Sequence, residues 1–213
     1  MADELVVGPF PAGFRKFWLP LGRMVAGALL VLLGPVKVRG AYRVPKEGGV
    51  LILANHIADM DPILVQYACG RPVHFMAKSE LFDLPVIGRL MRFFGAFAVK
   101  RGEPDRKALK FSADLLKTGE AVGIFPEGQI SEDGELQELK PGVALIARMA
   151  GTPVICVGIS GSQRMMPYGK TIPRPAFRTV TLVWGEPRTF GKETSAEEFL
   201  AWVQGQFLTL VED

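Results

Sequence analysis

The chain has 213 residues, of which 48% are hydrophobic and 22% charged, with 24 Gly, 16 Pro and 2 Cys. This composition excludes a disordered chain, a collagen-like repeat and a disulfide scaffold, and the length predicts a single domain. The net charge of +3 is too small to indicate nucleic-acid binding by itself.

An apolar segment lies near the start of the chain, from Phe17 to Val36. Its uninterrupted part, Met24 to Leu33, is ten residues long, whereas a membrane span needs about 20. The segment is surrounded by cations and aromatic residues, namely Arg15, Lys16, Arg23, Lys37, Arg39, Phe14, Phe17 and Trp18. That combination is typical of a helix lying in the membrane interface, and an ordinary buried helix is the alternative. We predict a membrane-associating helical segment over residues 1–40.

Apolar runs alternate with helical patterns along the rest of the chain. The predicted strands are 50–54, 72–77, 96–100, 121–125, 153–159 and 177–184. The predicted helices are 62–69, 84–94, 105–117, 142–149 and 196–210. The alternation predicts an α/β domain over 41–213, with a mixed, largely parallel sheet flanked by helices. In such sheets active sites gather at the strand ends.

One of the two histidines follows a predicted strand directly and has an aspartate five residues later, His56 and Asp61. If the chain turns between them, the carboxylate accepts a hydrogen bond from one ring nitrogen and leaves the other free to take a proton from a hydroxyl. Asp61 before Pro62 is also the pattern of a helix start, and the two roles are compatible. The second histidine, His74, has apolar neighbours and is predicted to be a core residue.

Two further strand ends carry polar residues. Lys100 and Arg101 end the strand at 96–100, where cations suit a phosphate or carboxylate ligand and a solvated loop is the alternative. Glu127 and Gly128 follow the strand at 121–125. The glutamate is a candidate acceptor of hydrogen bonds from substrate hydroxyls, and a plain turn is the alternative. Lys140 opens a predicted helix and is a further candidate for an anion.

Taken together, these segments resemble the lysophosphatidic acid acyltransferase family of glycerolipid acyltransferases, which carry an H-x4-D motif. The resemblance runs in order from about Val50 to Ile159. The matching segments are Asn55-His56 with Asp61, the stretch 77–82 with Pro85 and Gly88, Gly95 with Phe97 and Arg101, 125–128, and 152–159. Each motif is modest alone, but the ordered set is specific.

The resemblance implies transfer of a fatty acyl group from acyl-CoA or acyl carrier protein to the hydroxyl of lysophosphatidic acid, giving phosphatidic acid. It implies that His56 is the general base and that Asp61 orients it. It further implies that Arg101 binds the acceptor phosphate and that Glu127 with Gly128 shapes the acceptor site. The predicted substrate-binding residues also include Asn55, Lys100 and Lys140. No cofactor and no metal ion is expected. The expected location is the cytoplasmic face of the membrane, held by a monotopic N-terminal anchor, with a membrane lipid as acceptor and no nucleic acid as partner.

One departure from the family pattern bears on the acceptor. The third motif usually continues Thr-Arg-Ser, whereas this chain has Gln129-Ile130-Ser131, so one cation for an acceptor phosphate is missing. The alternative hypotheses are therefore another lysolipid or an aminolipid as acceptor, a thioester hydrolase, or a non-catalytic lipid-binding protein.

Overall fold

The computed structural model describes residues 7–99, 105–170 and 172–212. Within these residues one sheet has the strand order β1-β7-β6-β2-β5-β3-β4. Its strands are Val36–Arg39 (β1), Val50–Ala54 (β2), Val73–Lys78 (β3), Phe97–Val99 (β4), Ala121–Ile124 (β5), Val154–Ser160 (β6) and Val180–Trp184 (β7). The α-helices are Leu19–Leu33 (α1), Asp61–Ala68 (α2), Pro85–Phe93 (α3), Arg106–Lys117 (α4), Gly142–Ala150 (α5), Ser162–Met165 (α6) and Ala196–Glu212 (α7).

The sheet is mixed and largely parallel. Strands β2 to β6 all run in the same direction, β7 is antiparallel to β6, and β1 is parallel to β7. The predicted fold class is therefore confirmed. The carboxyl ends of β2 to β6 lie at one edge, which we call the carboxyl edge, and the segments with candidate site residues follow these strands.

Alternate residues of β2 fill two separate cores. Val50 and Ile52 pack with residues of α1 and α2 on one face of the sheet. Leu51 and Leu53 pack with residues of α4, α5 and α7 on the other face. This alternation is what a strand buried on both sides requires, because successive side chains point to opposite faces.

The sheet begins inside the segment predicted as residues 1–40. Val36–Arg39 pairs with β7 as an edge strand, with half-buried valines alternating with exposed Lys37 and Arg39. Charged residues are common on edge strands because they discourage pairing with another chain. The short, half-polar pattern explains why the sequence did not indicate a strand here.

Helix α1 continues a π-helical turn, Phe14–Trp18, so that one helix runs from Phe14 to Leu33 with a mean hydropathy of 1.5. By length and composition it could cross a membrane, and only 11% of its most apolar window is buried. Its exposed residues between positions 17 and 32 are all apolar: Phe17, Trp18, Pro20, Leu21, Met24, Val25, Ala28, Leu29, Val31 and Leu32.

The opposite side of this helix packs against the domain. Leu30 is buried in the core with α2, and Gly27 allows the ring of Tyr67 to approach closely. Arg23, the only cation between positions 17 and 32, is half-buried on this side. Burial raises the pKa of the Cys69 thiol, and the charges of Arg71 and Arg23 oppose that rise. From position 17 to 32 the helix therefore presents an uncharged face outward, while the exposed cation Lys16 lies at its start.

An ion pair joins the N-terminal helix to the sheet at the edge opposite the carboxyl edge. Arg15 Nη2 donates to both carboxylate oxygens of Glu120 at 2.6 Å. Glu120 has a side chain only 4% exposed, while that of Arg15 is 36% exposed. His74 Nε2 lies 3.7 Å from Glu120, and burial lowers the pKa of His74, as expected for a core histidine.

We expect Arg15→Met to lower the free energy of unfolding by about 1–2 kcal/mol, because it leaves the buried Glu120 carboxylate without its cation. This loss of stability is smaller than for a fully buried ion pair, because Arg15 is partly solvated. Chemical denaturation in a mild non-ionic detergent measures it. Lys16→Met, which removes the adjacent exposed cation, is the matched control, and equal midpoints for the two variants would contradict the anchoring role.

Candidate active site

His56 and Asp61 lie in hydrogen-bond contact beyond the end of β2. His56 Nδ1 is 2.9 Å from Asp61 Oδ2, and both residues are buried. Because a carboxylate only accepts, Nδ1 carries the proton in the neutral ring and Nε2 has a free lone pair. The turn that the sequence required between these residues is present, and it ends where Asp61 begins α2.

Three further donors hold the Asp61 carboxylate. The backbone N–H groups of Ile57 and Ala58 donate to Oδ2 at 2.7 and 2.8 Å. Ser162 Oγ donates to Oδ1 at 2.5 Å. A buried carboxylate with this many donors is fixed in place.

Asn55 joins the ends of two neighbouring strands. Its Nδ2 donates to the carbonyl of Ile159 at 2.9 Å, and its Oδ1 accepts the N–H of the same residue at 2.7 Å. The side-chain amide thus extends the pairing of β2 with β6 beyond the last backbone contacts. Both ends of the Asn55 amide bind Ile159, so this side chain holds the two strand ends together. Its predicted contact with the substrate stays a prediction.

Glu127 and Ser131 hold the backbone of His56 from both sides. Glu127 Oε1 accepts the His56 N–H at 2.8 Å, and the His56 carbonyl accepts the N–H of Ser131 at 2.8 Å. The other Glu127 oxygen accepts the N–H of Gln137 at 2.9 Å. Each oxygen of this buried carboxylate therefore accepts one backbone N–H group. The predicted contact of Glu127 with a substrate hydroxyl stays a prediction. Burial raises the pKa of Glu127, and the two N–H donors oppose that rise.

The imidazole ring of His56 stacks on Phe125. The two ring centroids are 4.0 Å apart with an interplanar angle of 22°. This contact fixes the ring plane, while the Asp61 bond fixes rotation within that plane. The catalytic candidate is thus held by its backbone, its ring face and one ring nitrogen, which leaves Nε2 as the atom available for chemistry.

The remaining candidate substrate-binding residues are two exposed residues and two that the structure does not describe. Gly128 is exposed on the turn after Glu127, with φ of +73°, a conformation that favours glycine. Lys140 is exposed, with Nζ 3.6 Å from Glu138. Lys100 and Arg101 lie outside the described residues, so their predicted contact with an anion stays a prediction.

An open cavity of about 580 Å³ lies between the loops that follow β2, β5 and β6. Its walls are Asp59, Gln129, Ile130, Glu132, Asp133, Gln137, Tyr168 and Gly169. Three of these residues are carboxylates, and within the described part of the chain no lysine or arginine is among them. Ile130, where the family pattern has a cation, therefore borders an acidic space.

Ser162 is the site residue that sequence reasoning missed. It is 101 positions from Asp61 and belongs to no motif that we recognised. The available signal was its position two residues after β6, at the edge where the other site residues gather.

No group of three or more His, Cys, Asp or Glu that could hold a metal ion occurs among the residues that the structure describes. The chemistry available at this site is proton transfer by His56, which the Asp61 carboxylate orients. A hydroxyl near Nε2 could be deprotonated as its oxygen attacks a carbonyl carbon.

Comparisons with known proteins show which proteins this chain is similar to. A family model named Acyltransferase matches residues 35–160. The chain is 34% identical over 173 residues to a 1-acyl-sn-glycerol-3-phosphate acyltransferase of Bacillus subtilis, covering 78% of this chain and 81% of that protein. It is 30% identical over 158 residues to the chloroplastic 1-acyl-sn-glycerol-3-phosphate acyltransferase BAT2 of Brassica napus, covering 73% of this chain. The match spans only 46% of the length of the plant protein.

A solved structure is also similar. The crystal structure of the 1-acyl-sn-glycerophosphate (LPA) acyltransferase PlsC from Thermotoga maritima superposes with a TM-score of 0.80 at 27% identity. The superposition covers 98% of this chain and 84% of that one. The likeness therefore includes the N-terminal helix as well as the sheet.

We expect Asn55→Ala to lower the free energy of unfolding by about 2–3 kcal/mol, because it leaves the N–H and carbonyl of Ile159 unpaired in the core. Urea denaturation in detergent measures the change. Gln66→Ala is the matched control, since Gln66 also makes two backbone bonds, to Arg71 and Val73, but is half-buried. A cost for Asn55→Ala no larger than that for Gln66→Ala would contradict the proposed link between β2 and β6.

Proposed function

We propose that this chain, which belongs to the acyltransferase family, transfers a fatty acyl group from a thioester to the hydroxyl of lysophosphatidic acid and so forms phosphatidic acid. The observation that carries the proposal is the His56–Asp61 pair at the carboxyl edge, with Nδ1 bound to the carboxylate. The names of the similar proteins support the acceptor, and the donor is proposed to be acyl-CoA or acyl carrier protein.

In the proposed reaction His56 Nε2 takes the proton of the acceptor hydroxyl as its oxygen attacks the thioester carbonyl. The new C–O bond forms a tetrahedral intermediate, which collapses as the C–S bond breaks. The thiolate then takes the proton from the imidazolium and leaves as a thiol. The proton balance closes without an acyl-enzyme, a cofactor or a metal ion.

Asp61 acts on this reaction through His56. Its carboxylate holds the ring so that Nε2 is the basic atom, and it stabilises the imidazolium that forms during attack. Asn55 and Glu127 are positioning residues, because they hold the backbone on which His56 sits. We keep Arg101 and Lys100, with Lys140, as the proposed cations for the acceptor phosphate.

The N-terminal helix is proposed to hold the enzyme on the cytoplasmic face of the membrane without crossing it. Its outward face from position 17 to 32 is uniformly apolar, whereas its inward face is bound to the domain by packing and by the Arg15–Glu120 pair. A helix attached along its length to a folded domain suits a monotopic position at the interface. The proposed acceptor and product are lipids of that bilayer, and acyl-CoA and acyl carrier protein are cytoplasmic.

We expect His56→Ala and Asp61→Asn each to lower the rate of acyl transfer by about 10²–10⁴-fold. The first removes the general base, and the second removes the carboxylate that orients it. The rate is measured as thiol release from palmitoyl-CoA or from palmitoyl acyl carrier protein, with and without lysophosphatidate. Mass spectrometry identifies the product lipid. Asp114→Asn is the matched control, since it neutralises an exposed aspartate on α4 that has no part in the site.

Two outcomes would contradict the proposal. The first is wild-type activity in purified His56→Ala protein. The second is thiol release that needs no lysophosphatidate and yields free fatty acid, which identifies a thioester hydrolase instead.

The acidic cavity favours a second candidate acceptor. Asp59, Glu132 and Asp133 line it, and Ile130 supplies no charge. Carboxylates attract an ammonium group and repel a phosphomonoester. The second candidate is therefore the same acyl transfer to a lysolipid or aminolipid that carries a cationic headgroup.

A comparison of acceptors separates the two candidates. For lysophosphatidate as the natural acceptor, we expect Ile130→Arg to lower KM for that lipid severalfold without a matching change in kcat, because it adds a phosphate partner. For an ammonium-bearing acceptor, the wild type prefers the cationic lipid and Ile130→Arg weakens that preference. Steady-state kinetics with matched acyl chains on both acceptors measures the difference, and Ile130→Gln controls for lost apolar surface.

A further inference from the structure

We infer that α3 is a second membrane-binding element, whose outer face rests on the bilayer beside the N-terminal helix. The inference rests on the membrane association in the proposed function and extends it to a part of the chain that carries no long apolar run. The bilayer contact then comprises two helices that are about 50 residues or more apart in the sequence.

The exposed face of α3 has the pattern of an interfacial helix. Its outward apolar residues, Val86, Leu90 and Phe93, are spaced four and three positions apart and so form one stripe. Two exposed cations, Arg89 and Arg92, lie beside this stripe. An apolar stripe flanked by cations suits contact with acyl chains and anionic headgroups at the same time.

The stripe continues into the apolar face of the N-terminal helix. The ring of Phe93 contacts Trp18 at 5.4 Å and Phe14 at 5.5 Å between centroids. Gly22 of α1 lies against Phe94. The two helices therefore present one continuous exposed apolar surface. On monomeric proteins, exposed apolar residues are normally scattered singly.

The helices on the other face of the sheet expose mostly charged and polar residues. The exposed residues of α4 are all charged, namely Arg106, Lys107, Lys110, Asp114 and Lys117. On α7, exposed Glu197 and Glu198 begin the helix, and exposed Leu208 and Val211 lie near its end beside exposed Gln204 and Thr209. Apolar exposure is thus concentrated on the side of the sheet that carries the N-terminal helix, which indicates a planar partner on that side.

A lipid bilayer suits this surface better than a second protein chain. From position 17 to 32 the N-terminal helix exposes no polar side chain for a protein partner to recognise, whereas lipid tails need none. The cations of α3 lie at the border of the apolar area, where headgroups would be. A second copy of this chain covering the same face is an outcome of the test below.

The test uses the full chain and matched leucine variants. Leu90 on α3 and Leu208 on α7 are 55% and 54% exposed, on opposite faces of the sheet. We expect Leu90→Glu to weaken binding to phosphatidylcholine vesicles containing phosphatidylglycerol by about tenfold, because apolar contact is lost and a like charge meets anionic lipid. Leu208→Glu is expected to bind as the wild type does. Co-sedimentation over a series of lipid concentrations measures both.

A second measurement locates α3 directly. Cys69 and Cys156 are buried, so Val86→Cys can be labelled selectively with an environment-sensitive fluorophore. We expect the emission of this probe to shift to shorter wavelength when vesicles are added, while the same probe at Leu208→Cys stays in water. Thiol-release activity of Leu90→Glu in detergent micelles shows that the variant is folded.

The inference is overturned if Leu90→Glu binds vesicles as tightly as Leu208→Glu and the probe on Val86→Cys does not shift. It is also overturned if Leu90→Glu separates a dimer in detergent while vesicle binding is unchanged, since α3 then joins two copies of the chain. Vesicle binding requires no catalysis, so a failure of the proposed acyl transfer would be seen separately in the His56→Ala experiment.

Discussion

The buried carboxylate of Asp61 is the group on which the arrangement of the carboxyl edge depends. An ionised carboxylate in a protein core is costly unless donors surround it. Here the donors come from His56, from the backbone of the turn that follows it, and from Ser162 beyond β6. One charge therefore fixes the turn, the start of α2, the ring of the histidine and the approach of a distant strand end. The catalytic candidate is oriented by the same hydrogen bonds that make this charge tolerable.

The sequence predicts those features of the carboxyl edge that depend on residues close together in the chain. Val50–Ala54 is apolar throughout and is a fully buried strand, and the spacing of His56 and Asp61 is realised by a short turn. The alternation of strands and helices was enough to predict the layered sheet. These features depend on residues a few positions apart, so their pattern is visible in a single chain.

Other features depend on partners that are far away in the chain. Asn55 pairs with Ile159 across 104 positions, and Ser162 reaches Asp61 across 101. Nothing in the neighbourhood of either residue indicates such a partner. The hydrogen bonds of Glu127 could not be predicted for the same reason, because the backbone groups that donate to its oxygens come together only in the folded chain. Strand β1 was missed since its four residues carry two cations, a pattern that is equally typical of a loop.

The uncharged outer face of the N-terminal helix gives the surrounding lipid a thermodynamic role. A species that binds only the folded state stabilises it in proportion to the logarithm of its concentration. If lipid or detergent covers this face, it is such a ligand, and the transition temperature of the protein depends on how much of it is present. Unfolding in dilute detergent and unfolding on a bilayer are then different equilibria. The bilayer would be part of the folded state and not only the place where the enzyme works.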